Sequence, residues 1–160
     1  MYKSLLSDLS RVLLFPKDIN YAGSLNTLHK KLLVELGEKY KPLDHFEFNT
    51  ELMNFYRSLK DKYSLNLLTS DVIHHQPDIG MHLGVVFKNV FSANELGLKK
   101  KDPDIYLFIC KKINTNPTNV IYIDDQIENV NAALAAGMKA LLYENDNKKT
   151  ITELSALLAP

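Results

Sequence analysis

Asp124 and Asp125 close the apolar run VIYIDD. Two adjacent carboxylates at a strand end repel each other unless a cation or a bound group compensates them. Asp8 ends a second apolar run, KSLLSD, and Thr69 and Ser70 end a third, SLNLLTS; Lys100 lies just before a helix start at Asp102 and Pro103. Carboxylates are hard oxygen ligands for magnesium, a hydroxyl and an ammonium can hold phosphate oxygens, and one carboxylate can attack phosphorus as a nucleophile. Gathered in one crevice, these residues could bind Mg2+ and a phosphate together, and the bound cation would compensate the acidic pair.

Such a crevice needs a scaffold that brings several strand ends to one edge. The short apolar runs KSLLSD and VLLF (Val12 to Phe15) suit buried strands. Leu25, Leu28, Leu32, Leu33 and Leu36 then recur at helical spacing, with Ser24 as the expected cap and Gly37 as the stop. Leu52, Phe55, Tyr56 and Leu59 form the apolar face of a second helix behind the capping candidates Asn49 and Thr50. The strand SLNLLTS, a helical piece near Pro77 to Leu83, and a short strand at Val90 to Ala93 follow. A helix capped by Asp102 comes next, with Pro103 in its first turn. The remainder reads as strand NVIYID, helix ENVNAALAAG closed by Gly137, strand KALLY, and a last helix from Thr150 with a Thr150–Glu153 capping box. Alternating helices and uniformly apolar strands predict an α/β fold, a doubly wound parallel sheet covered on both faces. In such sheets ligands bind beyond the carboxyl ends of the strands, where Asp8, Thr69, Asp124 and Asp125 are expected to converge with Lys100.

The segments SLLSDLSRVLL, LNLLTSD, GLKKKDPDIYLF and VIYIDDQIENVNAALAAGM resemble, in all four signature regions and in their order, the haloacid dehalogenase superfamily, whose members are mostly phosphatases. The order separates the chain from a response-regulator receiver, which places its acidic pair at the first strand. The resemblance implies a Rossmann-like core and a magnesium-dependent phosphatase-like hydrolase acting on a small phosphorylated metabolite such as a sugar phosphate. It makes Asp8 the nucleophile that forms an aspartyl-phosphate, Thr69 and Ser70 phosphate-binding residues, and Lys100 the counter-charge. Asp8, Asp124, Asp125 and the backbone carbonyl of Ser10 would be the magnesium ligands. Dehalogenation would use the same nucleophile without magnesium, and the retained Asp124 and Asp125 speak against it.

One departure stands out. Family phosphatases usually carry a second aspartate two residues after the nucleophile, and Ser10 occupies that position. A general acid contributes about 10²–10⁴ in rate, so its loss predicts slow turnover, or substrates whose leaving oxygen needs little protonation, such as acyl phosphates and sugar 1-phosphates. The alternative is a catalytically impaired relative that binds a phosphorylated ligand or a protein partner. Arg11 stands where glycine is usual and is expected either at the phosphate or in solvent. His74 and His75 are expected to be solvated or capping, and Cys110 to be a small core residue.

At 160 residues the chain is expected to form one domain, residues 1–160, with a minimal helical cap inserted at about residues 16–48. Nineteen basic and nineteen acidic residues leave no overall field to hold a nucleic acid or an anionic membrane surface. The single cysteine and the absence of a signal-like or membrane-spanning run lead us to expect a cytoplasmic protein.

Overall fold

The computed structural model describes residues 1–159. Pro160, the last residue of the expected span, lies outside them. Seven strands and eight α-helices occur among these residues: β1 (Ser4–Ser7), β2 (Leu14–Pro16), α1 (Leu25–Leu36), α2 (Pro42–His45), β3 (Phe46–Phe48), α3 (Thr50–Leu59), β4 (Ser64–Thr69), α4 (Pro77–Gly84), β5 (Asn89–Ser92), α5 (Ala93–Leu96), α6 (Pro103–Lys112), β6 (Val120–Asp124), α7 (Ile127–Ala135), β7 (Lys139–Leu142) and α8 (Asn147–Leu158). Five strands make a parallel sheet in the order β5-β4-β1-β6-β7, the expected α/β arrangement.

Alternation along the strands explains why both faces are covered. Leu5, Leu65, Leu67, Ile121 and Ile123 belong to one buried cluster, and Leu6, Leu68, Val120 and Tyr122 to the other. Each fully buried leucine or isoleucine contributes about 1.5–3 kcal/mol relative to exposure, so a one-residue slip of β1 would exchange the faces of Leu5 and Leu6 and carry a large cost. The register is therefore firm: Ser7 pairs with Leu67 on one side and Ile123 on the other.

Several local expectations need correction. The run VLLF does not add a strand to the main sheet; β2 begins at Leu14 and pairs antiparallel with β3, a three-residue strand that hydropathy did not reveal. The last helix starts at Asn147, capped by the Asp146 carboxylate, which accepts from the N–H of Lys149. Thr150 lies inside it, its hydroxyl donating to the Asp146 carbonyl, so it forms no capping box. Asp102 occupies the N-cap position of α6 without a capping side-chain bond. Asn49, rather than Thr50, caps α3 by accepting from the N–H of Leu52. Ser24 caps α1 as expected, and Gly37 ends it at φ 51°, a left-handed conformation that suits glycine. Cys110 is buried in α6. No helix of the described residues is long and apolar enough to cross a membrane.

Candidate active site at the strand ends

Asp8 is the residue after β1, and its N–H donates to the Ile123 carbonyl of β6 at 2.8 Å. Since Ser7 and Ile123 are partners in the ladder, that bond brings Asp8 level with Asp124, the last residue of β6. Two carboxylates separated by over a hundred residues are thus forced together by strand register. Between them sits Lys100: its Nζ stands 2.7 Å from Oδ1 of Asp8 and 2.7 Å from Oδ2 of Asp124. All three side chains are at least nine-tenths buried, and Asp124 is 0% exposed.

Burying charge is costly unless each group is paired and hydrogen-bonded, and Asp124 meets that requirement. Gln126 N–H donates to Oδ1 at 2.8 Å, Asn129 Nδ2 approaches both oxygens at 3.1 Å, and the Tyr122 hydroxyl donates to Oδ2. Tyr106 in turn fixes the lysine segment, its hydroxyl donating to the Lys100 carbonyl at 2.7 Å. Asp8 is less well supplied. Its Oδ1 accepts the N–H of Leu9 at 2.7 Å and faces Lys100, while among the described residues no hydrogen bond reaches Oδ2.

The electrostatics follow from this inventory. Burial pushes the Asp8 carboxyl up, Asp124 and Asp125 push it further, and Lys100 pulls against them, leaving it at about 7. Burial also raises Asp125, against a hydrogen bond from Gln126. Burial disfavours the Lys100 charge, yet the two carboxylates outweigh that and raise its pKa. With all three carboxylates ionised, the form a metal requires, they would exceed the one ammonium by two negative charges. Ligand oxygens of Asp8, Asp124 and Asp125 lie within 4.8 Å of one another. A hard dication coordinated there would cancel the excess, so the donor set fits magnesium in charge and ligand type.

Asp8, Ser10, Lys100, Asp125 and Ser70 line a small cavity of about 160 Å³. Thr69 ends β4 fully buried and is not part of the cavity wall, but its Oγ1 has no hydrogen-bond partner among the described residues. An orphaned buried hydroxyl costs about 1–3 kcal/mol and is uncommon without a function. Lys99 and Lys101 are exposed, so Lys100 alone of its run joins the site. Arg11 also lines this cavity, half-buried, and its guanidinium donates to the carbonyls of Tyr21 at 2.9 Å and Gly23 at 2.7 Å. Its φ of 57° is a conformation favouring glycine.

Some residues of the site escaped sequence reading. Tyr122 and Asn129 orient Asp124; a polar Asn129 within ENVNAALAAG was a usable signal, since it lies one turn into a helix that begins just after the acidic pair. Asn26, from the first turn of α1, also lines the cavity, with Oδ1 buried and unpartnered. Nothing local marked it, because only tertiary packing lays α1 over the strand ends.

A parallel sheet with buried carboxylates and a lysine gathered at the carboxyl ends of its central strands defines a doubly wound α/β protein with its candidate site where such sheets bind ligands. The chain belongs to the haloacid dehalogenase-like hydrolases: that family's model matches residues 21–137. The matched span contains Thr69, Lys100, Asp124 and Asp125 and begins after Asp8 and Ser10. Among curated proteins, a sesquiterpene phosphatase of Aspergillus oryzae is 36% identical over 73 residues, 46% of this chain and 37% of that protein. A phosphoglycolate phosphatase of Psychrobacter arcticus is 32% identical over 81 residues, 49% of this chain and 35% of that protein. The chain spans between 20% and 37% of the length of the curated relatives it matches. Among solved structures, a HAD-family enzyme of Bacteroides thetaiotaomicron in complex with magnesium and inorganic phosphate superposes with a TM-score of 0.66 at 14% identity, covering 94% of this chain and 99% of that one.

Proposed function

We propose that this protein is a magnesium-dependent phosphatase working through an aspartyl-phosphate on Asp8, with residues of about 16–48 as a small cap over the site. The observation that carries this reading is the buried Asp8–Lys100–Asp124 triad with Asp125 beside it, an arrangement whose excess negative charge calls for a cation. Phosphatases among the relatives point the same way.

Asp8 is the nucleophile: a carboxylate oxygen forms a bond to phosphorus, the bond from phosphorus to the leaving oxygen breaks, and that oxygen departs with the electron pair. Water then attacks the acyl phosphate and returns Asp8 and inorganic phosphate. Asp8, Asp124, Asp125 and the Ser10 carbonyl would hold magnesium, which when bound would supply charge stabilisation to the phosphoryl oxygens. Lys100 fixes Asp8 and offsets charge on the phosphoryl group. Ser70 at the cavity wall gives the phosphate a further donor, the orphaned Thr69 hydroxyl behind the wall would give another once the pocket opens to it, and Asn26 bounds the cavity from the cap side. A larger cavity of about 700 Å³, which shares Arg11 and Asp125 with the small one and is walled by Phe15, Phe48 and Tyr143, leaves room for the rest of the substrate.

Ser10 gives no general acid, so acyl phosphates and sugar 1-phosphates are the favoured substrates. The same observation supports a second reading, a family member that binds a phosphorylated ligand without turning it over. Phosphate release from acyl phosphates, sugar 1-phosphates and ordinary phosphomonoesters, with and without magnesium, decides between them. Turnover that requires magnesium and disappears in Asp8→Asn supports the phosphatase. Undiminished turnover in Asp8→Asn overturns the role of Asp8, and magnesium binding without turnover on any class favours the second reading.

A further inference from the structure

Beyond β4 the chain makes a turn carrying His74 and His75, and beyond β5 the short helix α5 carries Glu95. Strand pairing puts these two exits side by side, and the N–H of Asn94 donates to the Ser70 carbonyl at 3.1 Å. The three side chains meet: His75 Nε2 is 2.5 Å from Glu95 Oε1, and His74 Nε2 is 3.5 Å from Oε2. A ligand atom of each lies within 4.8 Å of the other two, and the group shares no residue with the carboxylate site.

A histidine-glutamate ion pair does not account for all of this. The His74 side chain is only 9% exposed, its Nδ1 has no hydrogen-bond partner, and its Nε2 stands at the outer edge of contact with the carboxylate. A desolvated imidazole held by nothing stronger than the Asp71 backbone and a carboxylate at 3.5 Å is a costly arrangement.

We propose that His74, His75 and Glu95 form a second metal site, selective for a zinc-type transition-metal dication over magnesium. Two imidazoles and one carboxylate suit zinc, cobalt or nickel, whereas magnesium and calcium prefer oxygen donors alone. Bonds from zinc to such ligands are about 2.0–2.2 Å, so ligand atoms must settle roughly 3–3.5 Å apart. His74 is held in place by its burial, while His75 and Glu95 are 58% and 46% exposed and free to open their contact by the roughly half to one ångström that these bond lengths require. Three protein ligands leave a further position for water or another donor. The bound ion would clamp the exit of β4, which carries Thr69 and Ser70, to α5 ahead of the Lys100 segment. The same turn holds the cap through the ion pair of Asp71 with Lys30 on α1.

The test uses cobalt(II) as probe on the whole chain in saturating magnesium, which occupies the carboxylates. The expected result is uptake of one equivalent with the visible absorption of a nitrogen-coordinated, low-coordinate ion, and displacement by zinc. His75→Ala and Glu95→Gln, both at exposed positions, weaken that uptake at least about tenfold, with circular dichroism unchanged, while Asp125→Asn keeps it. Absence of uptake by the wild type overturns the site. So does uptake undiminished in His75→Ala, or uptake lost in Asp125→Asn and kept in the histidine variant.

Discussion

The ends of β1 and β6 and the inserted segment of about residues 16–48 are tied down in different ways. At the strand ends, buried Asp124 takes three separate hydrogen-bonding groups besides Lys100, and ladder bonds fix its position. The inserted segment places Leu25, Tyr40 and Phe46 in the core and buries His29 of α1 against Tyr40, while Leu33, Val34 and Leu36 of the same helix stay exposed, Val34 at 85%. Its polar ties are few: Arg11 to the Tyr21 and Gly23 carbonyls, and Lys30 to Asp71. The strand-end geometry is fixed by ladder bonds and buried hydrogen bonds, whereas the inserted segment has fewer polar ties to the rest of the chain.

The comparison predicts that the largest loss comes from breaking the strand-end triad. Lys100→Met keeps length and removes the ammonium, leaving Asp8 and Asp124 buried and uncompensated. Removing one partner of a buried pair costs about 3–5 kcal/mol, so urea unfolding without metal should show a loss of that size, partly recovered when magnesium is added. A loss below about 1 kcal/mol would mean that the carboxylates are not charged or not desolvated, and the contrast between the two regions would fall. Asn129→Ala is the next step down. It removes the amide that touches both Asp124 oxygens, and weakening a group that orients a ligand costs about 10–100-fold in metal affinity. Calorimetric titration with magnesium reads it; an unchanged affinity would assign the orientation of Asp124 to Tyr122 and Gln126 alone.

Proton competition at Asp8 is a smaller effect with a defined sign. Its folded pKa of about 7 lies above the ordinary 3.8, so its protonated form is the one that favours folding. That stabilisation is fully present below about pH 4 and is lost as pH rises through about 7. Magnesium requires the ionised form and reverses the trend. Its affinity should therefore fall by about tenfold per pH unit below 7, one proton being released per ion bound. Titrations at pH 6 and 7.5 that agree would place the Asp8 proton elsewhere.

The strand-end region was also the more legible one. Apolar runs that stop in Asp8, Thr69 and Asp124 announce both the strand and the chemistry at its end, and a parallel sheet leaves those ends only one edge to share. Tyr122, Asn129 and Asn26 were harder, because their partners lie on other elements and no periodicity encodes a hydrogen bond across them. The insert was less legible still. Its three-residue strand Phe46–Phe48 is shorter than any hydropathy period can reveal, and VLLF, which does open a buried strand at Leu14, reads identically whether that strand joins a main sheet or a small ribbon. His74 and His75 read as loop residues, since Glu95 reaches them only after β4 and β5 pair.

The smallest expected effect tests the looser half of the comparison. Arg11 bears a left-handed φ of 57° that a glycine would adopt without strain, so Arg11→Gly recovers about 1 kcal/mol of backbone energy. It also removes two hydrogen bonds from a charged group to the Tyr21 and Gly23 carbonyls, each worth about 1.5–3 kcal/mol when buried and less where, as at Gly23, the contact is exposed. These terms oppose each other, and global stability should change by about 1 kcal/mol or less. The local consequence should be larger than the global one: amide hydrogen exchange in residues 17–24 should accelerate while β1 and β6 keep their protection, since opening of a weakly held segment need not involve the sheet. If exchange rises equally in the strands, Arg11 is holding the core as well as the insert, and the division between a rigid strand edge and a separately tethered segment is drawn in the wrong place.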